Sequence, residues 1–110
     1  MTFEELGLKS GVLKSLTEMG FETPTPIQTE AIPHLMKEVS DFVGLAQTGT
    51  GKTAAFGLPL VSKVEEGRKT PQGLIICPTR ELCLQIAKDL QNFSKHLNIS
   101  VVAVYGGTDI

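Results

Sequence analysis

Ala46-Gln47-Thr48-Gly49-Thr50-Gly51-Lys52-Thr53 has the glycine, lysine and hydroxyl spacing of a phosphate-binding loop. Gly49 and Gly51 permit a tight turn that brings backbone N–H groups against phosphate oxygens, where a Cβ would obstruct the approach. Lys52 would reach the outer phosphates of a triphosphate as a point charge, and the Thr53 hydroxyl would ligate a magnesium ion bridging them. The strict pattern opens with glycine; Ala46 stands in that place, so the match is to the relaxed form. The plain structural alternative is a glycine-rich turn between a strand and a helix, with no ligand.

Such a loop must follow a buried strand and open a helix. Asp41-Phe42-Val43-Gly44-Leu45 supplies the apolar run before it. Thr53 to Val64 places Ala54, Ala55, Leu58, Val61 and Val64 near helical spacing, with Gly57 and Pro59 predicting a kink or an early break. The polar stretch 65–73 separates this unit from Leu74-Ile75-Ile76-Cys77, whose continuous apolar run predicts a fully buried strand. Thr79 is a good N-cap for a helix with Leu82, Ile86, Leu90, Phe93 and Leu97 on one face. Ile99 to Tyr105 is rich in β-branched residues and predicts a third strand before Gly106-Gly107. Alternating strands and helices imply an α/β fold: a parallel sheet with flanking helices and right-handed crossovers.

Upstream, Ser10 to Met19 predicts a helix with Ser10 as N-cap, burying Val12, Leu13, Leu16 and Met19 and stopped by Gly20. Thr25 caps a second helix whose first residue is Pro26, and Gln28 falls where its amide completes a capping box. Pro33 is expected to end or kink that helix.

The 110 residues, 41% of them hydrophobic, make room for one core at most. A net charge of −2 excludes a broad basic surface, so any nucleic-acid contact must come from a few local donors. Met1 to Leu6 has acidic residues where a secretory signal has basic ones, and no long apolar segment follows, which points to a cytoplasmic, membrane-free protein. Cys77 and Cys83, with five residues between them, fit neither a zinc knuckle nor a redox motif, and are expected as reduced, packed thiols. His34 and His96 have no clustered ligands, so any metal would arrive with the nucleotide.

Three segments join the phosphate loop in a constellation: Gly20-Phe21 leading into Pro24-Thr25-Pro26-Ile27-Gln28, the run Pro78-Thr79-Arg80-Glu81-Leu82, and Gly106-Gly107. In this order they resemble the Q motif, motif Ia and GG element of the N-terminal RecA-like, P-loop NTPase domain of DEAD-box ATP-dependent RNA helicases, with residues 46–53 as motif I. The resemblance covers essentially the whole chain, with residues 1–29 as the Q-motif region and 41–110 carrying the other three motifs. It departs from the family's pattern at Thr23, where a basic residue is common, and at Cys83, where alanine is usual.

The resemblance implies ATP and Mg2+ as cofactors and the RNA backbone as partner. A planar carboxamide can pair with both the N6 amino group and N7 of adenine, so Gln28 would select ATP over GTP; its other reading is a cap alone. Phe21 would lay its ring on the base and Phe3 matches a position that supports this pocket, although on composition each is as readily core. Pro78, Thr79, Arg80, Gly106 and Gly107 would hold RNA. Free N–H groups at a helix start and a bidentate guanidinium suit phosphate, while the glycines let backbone approach. Contacts of this kind position a strand with little sequence preference. Without the family, Thr79 reads as a simple cap and Arg80 as a solvated charge.

Hydrolysis in a P-loop enzyme also needs a carboxylate at a neighbouring strand end and a group that orients water. Neither Asp41 nor Asp109 supplies them, and the Asp-Glu-Ala-Asp run, the later motifs and the second RecA-like domain are not in this sequence. The expectation is a parent helicase of which these residues, inactive alone, form the first part of domain one. Two other classes stay open: a non-catalytic nucleotide-binding or scaffold module, and a P-loop small-molecule kinase, which would not demand the Pro78 to Leu82 run.

Overall fold

The computed structural model describes residues 2–37 and 51–106. A 3-10 helix over Phe3–Leu6 leads into α1 (Ser10–Glu18), α2 (Pro26–Lys37), α3 (Lys52–Lys63) and α4 (Arg80–Phe93). The expected first strand, 41–45, lies outside the described residues. The core is built from Phe3, Leu6 and Leu8, from Val12 and Leu16 of α1, and from Ile32, Leu58, Val61, Ile86, Leu90 and Phe93.

Two helix boundaries place functional side chains. α1 ends in a Schellman motif: Gly20 is left-handed at φ 84, its N–H donates to the Thr17 carbonyl at 3.2 Å, and the Phe21 N–H donates to the Leu16 carbonyl at 2.9 Å. The reversal carries Phe21 back beside Leu16 and onto the core. Met19, expected in the core, is instead the exposed C-cap of α1. At the start of α2 the capping box forms as the sequence implies. Thr25 Oγ1 accepts from the Gln28 N–H at 3.4 Å, and Gln28 Oε1 accepts from the Thr25 N–H at 3.0 Å.

Two expected interruptions do not stop their helices. α2 runs through Pro33 to Lys37, and α3 runs through Gly57 and Pro59 to Lys63. Each proline forfeits a helical hydrogen bond. Burial of Ala31 and Ile32 on α2, and of Ala54, Ala55, Leu58 and Val61 on α3, compensates through the tight α2–α3 packing. Gly57 has a packing role: a Cβ there would stand 2.6 Å from Leu90 Cδ2, so its absence lets α3 settle against α4.

α4 is capped as expected, Thr79 Oγ1 accepting from the Leu82 N–H at 3.2 Å, and buries Ile86, Ala87, Leu90 and Phe93. Leu82 is exposed, contrary to its place on the apolar stripe. The polar stretch 65–73 is held by the Gln72 amide, which bonds both the N–H and the carbonyl of Glu65, and by Gly67 N–H to Asn98 O at 2.9 Å.

Among the described residues none forms a strand ladder, and 74–77 is not buried on both faces. Ile75 and Cys77 pack on the core, while Leu74 and Ile76 are 84% and 86% exposed. Val101 likewise faces inward, and Val102 and Val104 are 70% and 59% exposed. Successive side chains of an extended segment point to opposite sides, and α3 and α4 cover one side only. No helix among the described residues is long and apolar enough to cross a membrane.

Candidate functional site

Two helix N-termini carry the sequence-predicted site residues Lys52, Thr53, Thr79 and Arg80. The first is α3. Its N-cap, Gly51, is left-handed at φ 84 and supplies no side-chain cap to the first-turn amides. Gly51 is held from the other side by Gln28: this side chain is only 2% exposed, and its Nε2 donates to the Gly51 carbonyl at 3.2 Å while its Oε1 serves the Thr25 N–H. The approach is so close that a Cβ on Gly51 would collide with the Gln28 amide nitrogen and lie 3.4 Å from Thr25 Oγ1. One carboxamide therefore ties the start of α2 to the start of α3. Beyond these two bonds to described residues the carboxamide has a further Nε2 hydrogen and a further Oε1 lone pair.

Lys52, the first residue of α3, is exposed, and Thr53 beside it is half-buried. Residues 46–50, Ala46 to Thr50, lie outside the described residues. Phe21 stands between two rings, its centroid 6.0 Å from Phe3 at a 60° tilt and 6.0 Å from Phe93 edge to face. Phe3 is itself buried.

The second N-terminus is α4. Thr79 is its N-cap, Pro78 precedes it exposed, and Arg80 is its first residue. Arg80 Nη2 donates to the Gly106 carbonyl at 2.8 Å, and the guanidinium lies 5.0 Å from the centre of the Tyr105 ring. Arg80 and Gly106 are thus brought together as the motif order implies; Gly107 lies outside the described residues. Tyr105, the sole tyrosine in the chain, has only a strand's signal in the sequence, and its contact with Arg80 emerges from the structure. Its place directly before the glycine pair was the available signal. Both helices open with a cation at the positive end of the helix dipole; at α3 no acidic residue of the first turn offsets it, whereas at α4 Glu81 does so in part.

A family model, DEAD/DEAH box helicase, matches residues 25–110. The chain belongs to the DEAD/DEAH box helicase family. Among curated members, this DEAD/DEAH box segment is 51% identical over 109 residues to the DEAD-box ATP-dependent RNA helicase CshA of Bacillus cereus, covering 99% of this chain and 21% of that protein. The chain therefore spans about a fifth of that relative's length. Among solved structures it resembles the RNA helicase Prp28 from Chaetomium thermophilum bound to ADP, with a TM-score of 0.84, 41% identity, and coverage of 97% of this chain and 27% of that one. It also resembles Saccharomyces cerevisiae Dbp5 bound to RNA and ADP BeF3, with a TM-score of 0.84, 32% identity, and coverage of 99% and 29%.

Proposed function

We propose that the protein containing this segment is a cytoplasmic ATP-dependent RNA helicase, which couples ATP binding and hydrolysis to local opening of RNA duplexes. The observation that carries the reading is the Gln28 to Gly51 tie, which makes one side chain both a cap for α2 and a clamp on the last glycine of the phosphate loop. A family-typical domain would place segments 41–45, 74–77 and 99–105 in a parallel sheet, with residues 1–29 and 41–110 as the first part of a RecA-like domain.

The residues fit a magnesium nucleotide. The glycine at φ 84, which brings no side-chain cap to α3, and the exposed Lys52 are what a polyphosphate requires. Backbone N–H groups of 46–53 would cradle the phosphates, Lys52 would neutralise the outer ones, and Thr53 Oγ1 would hold Mg2+, whose charge lowers the repulsion between phosphate oxygens. Gln28 would use its further hydrogen and lone pair on adenine, with Phe21 against the ring face. Pro78, Thr79, Arg80, Gly106 and Gly107 would grip the RNA backbone. Tyr105 would hold the Arg80 guanidinium in place. The carboxylates that organise hydrolysis and the second RecA-like domain would come from the rest of the protein.

Titration of a fluorescent ATP analogue into the full-length protein, with and without single-stranded RNA, tests the reading. Each ligand is expected to tighten the other by the same factor, since coupling between sites is reciprocal. Failure to bind nucleotide at all would overturn the reading. In the same assay Arg80→Ala should weaken RNA binding, and the slope of log affinity against log salt should shrink by about one. ATP affinity without RNA should stay unchanged. RNA affinity equal to wild type would reduce Thr79 and Arg80 to a helix start.

A further inference from the structure

The segment that ends at Gly106 is laid along α4 by side chains of that helix. Gln91 Nε2 donates to the Val101 carbonyl at 3.3 Å, Cys83 Sγ lies 4.0 Å from the Val104 carbonyl, and Arg80 Nη2 donates to the Gly106 carbonyl at 2.8 Å. Helix positions fall from 91 to 80 as segment positions rise from 101 to 106, so the two run antiparallel and Gly106 ends beside the start of α4. Exposure alternates along the segment: Val101, Ala103 and Tyr105 are half-buried, while Val102 and Val104 are exposed. Tyr105 therefore shares the side of the segment on which Val101 packs against the core, and its ring comes to lie against the Arg80 guanidinium, 5.0 Å from ring centre to Cζ.

The partners of Arg80 are neutral. Arg68, the other arginine of the chain, is held by groups of its own loop, the Glu65 carboxylate at 3.7 Å and Thr70 Oγ1 at 3.1 Å. Among the described residues no carboxylate makes an ion pair with Arg80; a carbonyl and an aromatic face hold it instead. Such partners orient a cation without cancelling its charge. The carbonyl takes one N–H donor and the ring takes one face, which leaves the other donors of the planar fork for a second acceptor. A long exposed side chain loses rotamer freedom when it binds a ligand, and at Arg80 part of that loss is met before the ligand arrives.

We propose that Tyr105 is a positioning residue for RNA: its ring, together with the Gly106 carbonyl, pre-orients the Arg80 guanidinium so that the free edge of the fork meets one backbone phosphate. The role rests on the RNA reading above and goes beyond it, because it makes the orientation of Arg80, and not its charge alone, a source of affinity. It requires an aromatic face and no phenolic hydroxyl.

A double-variant cycle in the full-length protein tests this, with affinity for single-stranded oligouridine read across a salt series at saturating ATP analogue. Tyr105→Leu should weaken binding about two- to fivefold, the span of an exposed cation–π contact. The slope of log affinity against log salt should not change with it, since no charge is lost. Tyr105→Phe should rescue the loss. In an Arg80→Ala background the leucine should cost nothing further. Arg80→Lys, which keeps the charge but not the fork, should retain the slope and lose affinity. ATP affinity without RNA reports that each variant is folded, and Tyr105→Met repeats the test with a more adaptable side chain. Wild-type RNA affinity in both Tyr105→Leu and Tyr105→Met, where Arg80→Ala does weaken binding, would overturn the proposal. A leucine effect of the same size in the Arg80→Ala background would overturn it too, because Tyr105 would then act without Arg80. So would a loss in Tyr105→Phe equal to that in Tyr105→Leu, which would assign the effect to the hydroxyl. If Arg80→Ala binds RNA as wild type does, it is the RNA reading that has failed, and the positioning role falls with it.

Discussion

Lys52→Ala is expected to remove measurable ATP binding from the full-length protein while leaving its apo form as stable as wild type or slightly more so. The two halves of this outcome have one cause. Lys52 is an exposed cation on the first residue of α3, where the helix dipole is positive and no acidic residue occupies the first turn. Such a charge costs about 0.3–1 kcal/mol in the absence of an anion, and alanine at this position costs the helix nothing. With a triphosphate bound, the same charge becomes the partner of the outer phosphates. Truncating one member of a desolvated charge pair costs about 2–5 kcal/mol, equivalent to a loss of roughly 30-fold to several thousand-fold in affinity. Isothermal titration with ATP and a thermal melt of the apo protein read the two halves separately. Wild-type affinity in the variant would refute the phosphate-cradle assignment. Lost affinity accompanied by a large drop in apo stability would show Lys52 to be structural.

Arg80 places a second cation at the start of a helix, although at α4 Glu81 in the first turn offsets it in part. Both helices start with a charge that secondary structure alone disfavours, and both lie in segments whose motif order resembles a nucleotide-binding and RNA-binding surface. Helix starts and stops with short-range chemistry were legible from sequence: the Thr25–Gln28 capping box, the Gly20 stop and the Thr79 cap each close within a few residues. The bonds that build the site span longer separations. Gln28 to Gly51 crosses 23 positions and Arg80 to Gly106 crosses 26. No periodicity encodes such pairs, and the motif order suggested only that their segments belong together. The burial of 74–77 failed for another reason. A continuous apolar run says that both faces of a segment avoid water, but not which elements supply the cover. Leu74 and Ile76 therefore read as core, and no described element lies over them. Pro33 and Pro59 stay inside their helices because packing between α2 and α3 outweighs local propensity.

Gly51→Ala should be the most damaging single-methyl change in the site, because it meets two independent obstacles. An L-residue in the left-handed region costs about 1–2 kcal/mol, and the added Cβ would collide with the Gln28 amide nitrogen. Relief of the collision requires Gln28 to withdraw. That breaks its bond to the Gly51 carbonyl and disturbs its bond to the Thr25 N–H, so the start of α2 and the phosphate loop lose their tie together. ATP affinity in the full-length protein should therefore fall by at least about tenfold, and the preference for ATP over GTP should erode with it. Gln28→Ala alone should erode the preference while preserving more of the phosphate affinity. The double variant identifies the shared cause. With the amide gone the new methyl has room, so the two losses should be less than additive, leaving mainly backbone strain as the second contribution. Dissociation constants for ATP and GTP across the four proteins complete the cycle. Strictly additive losses would mean that Gln28 and Gly51 act on nucleotide separately, and an ATP to GTP ratio unchanged by Gln28→Ala would return that side chain to its capping role.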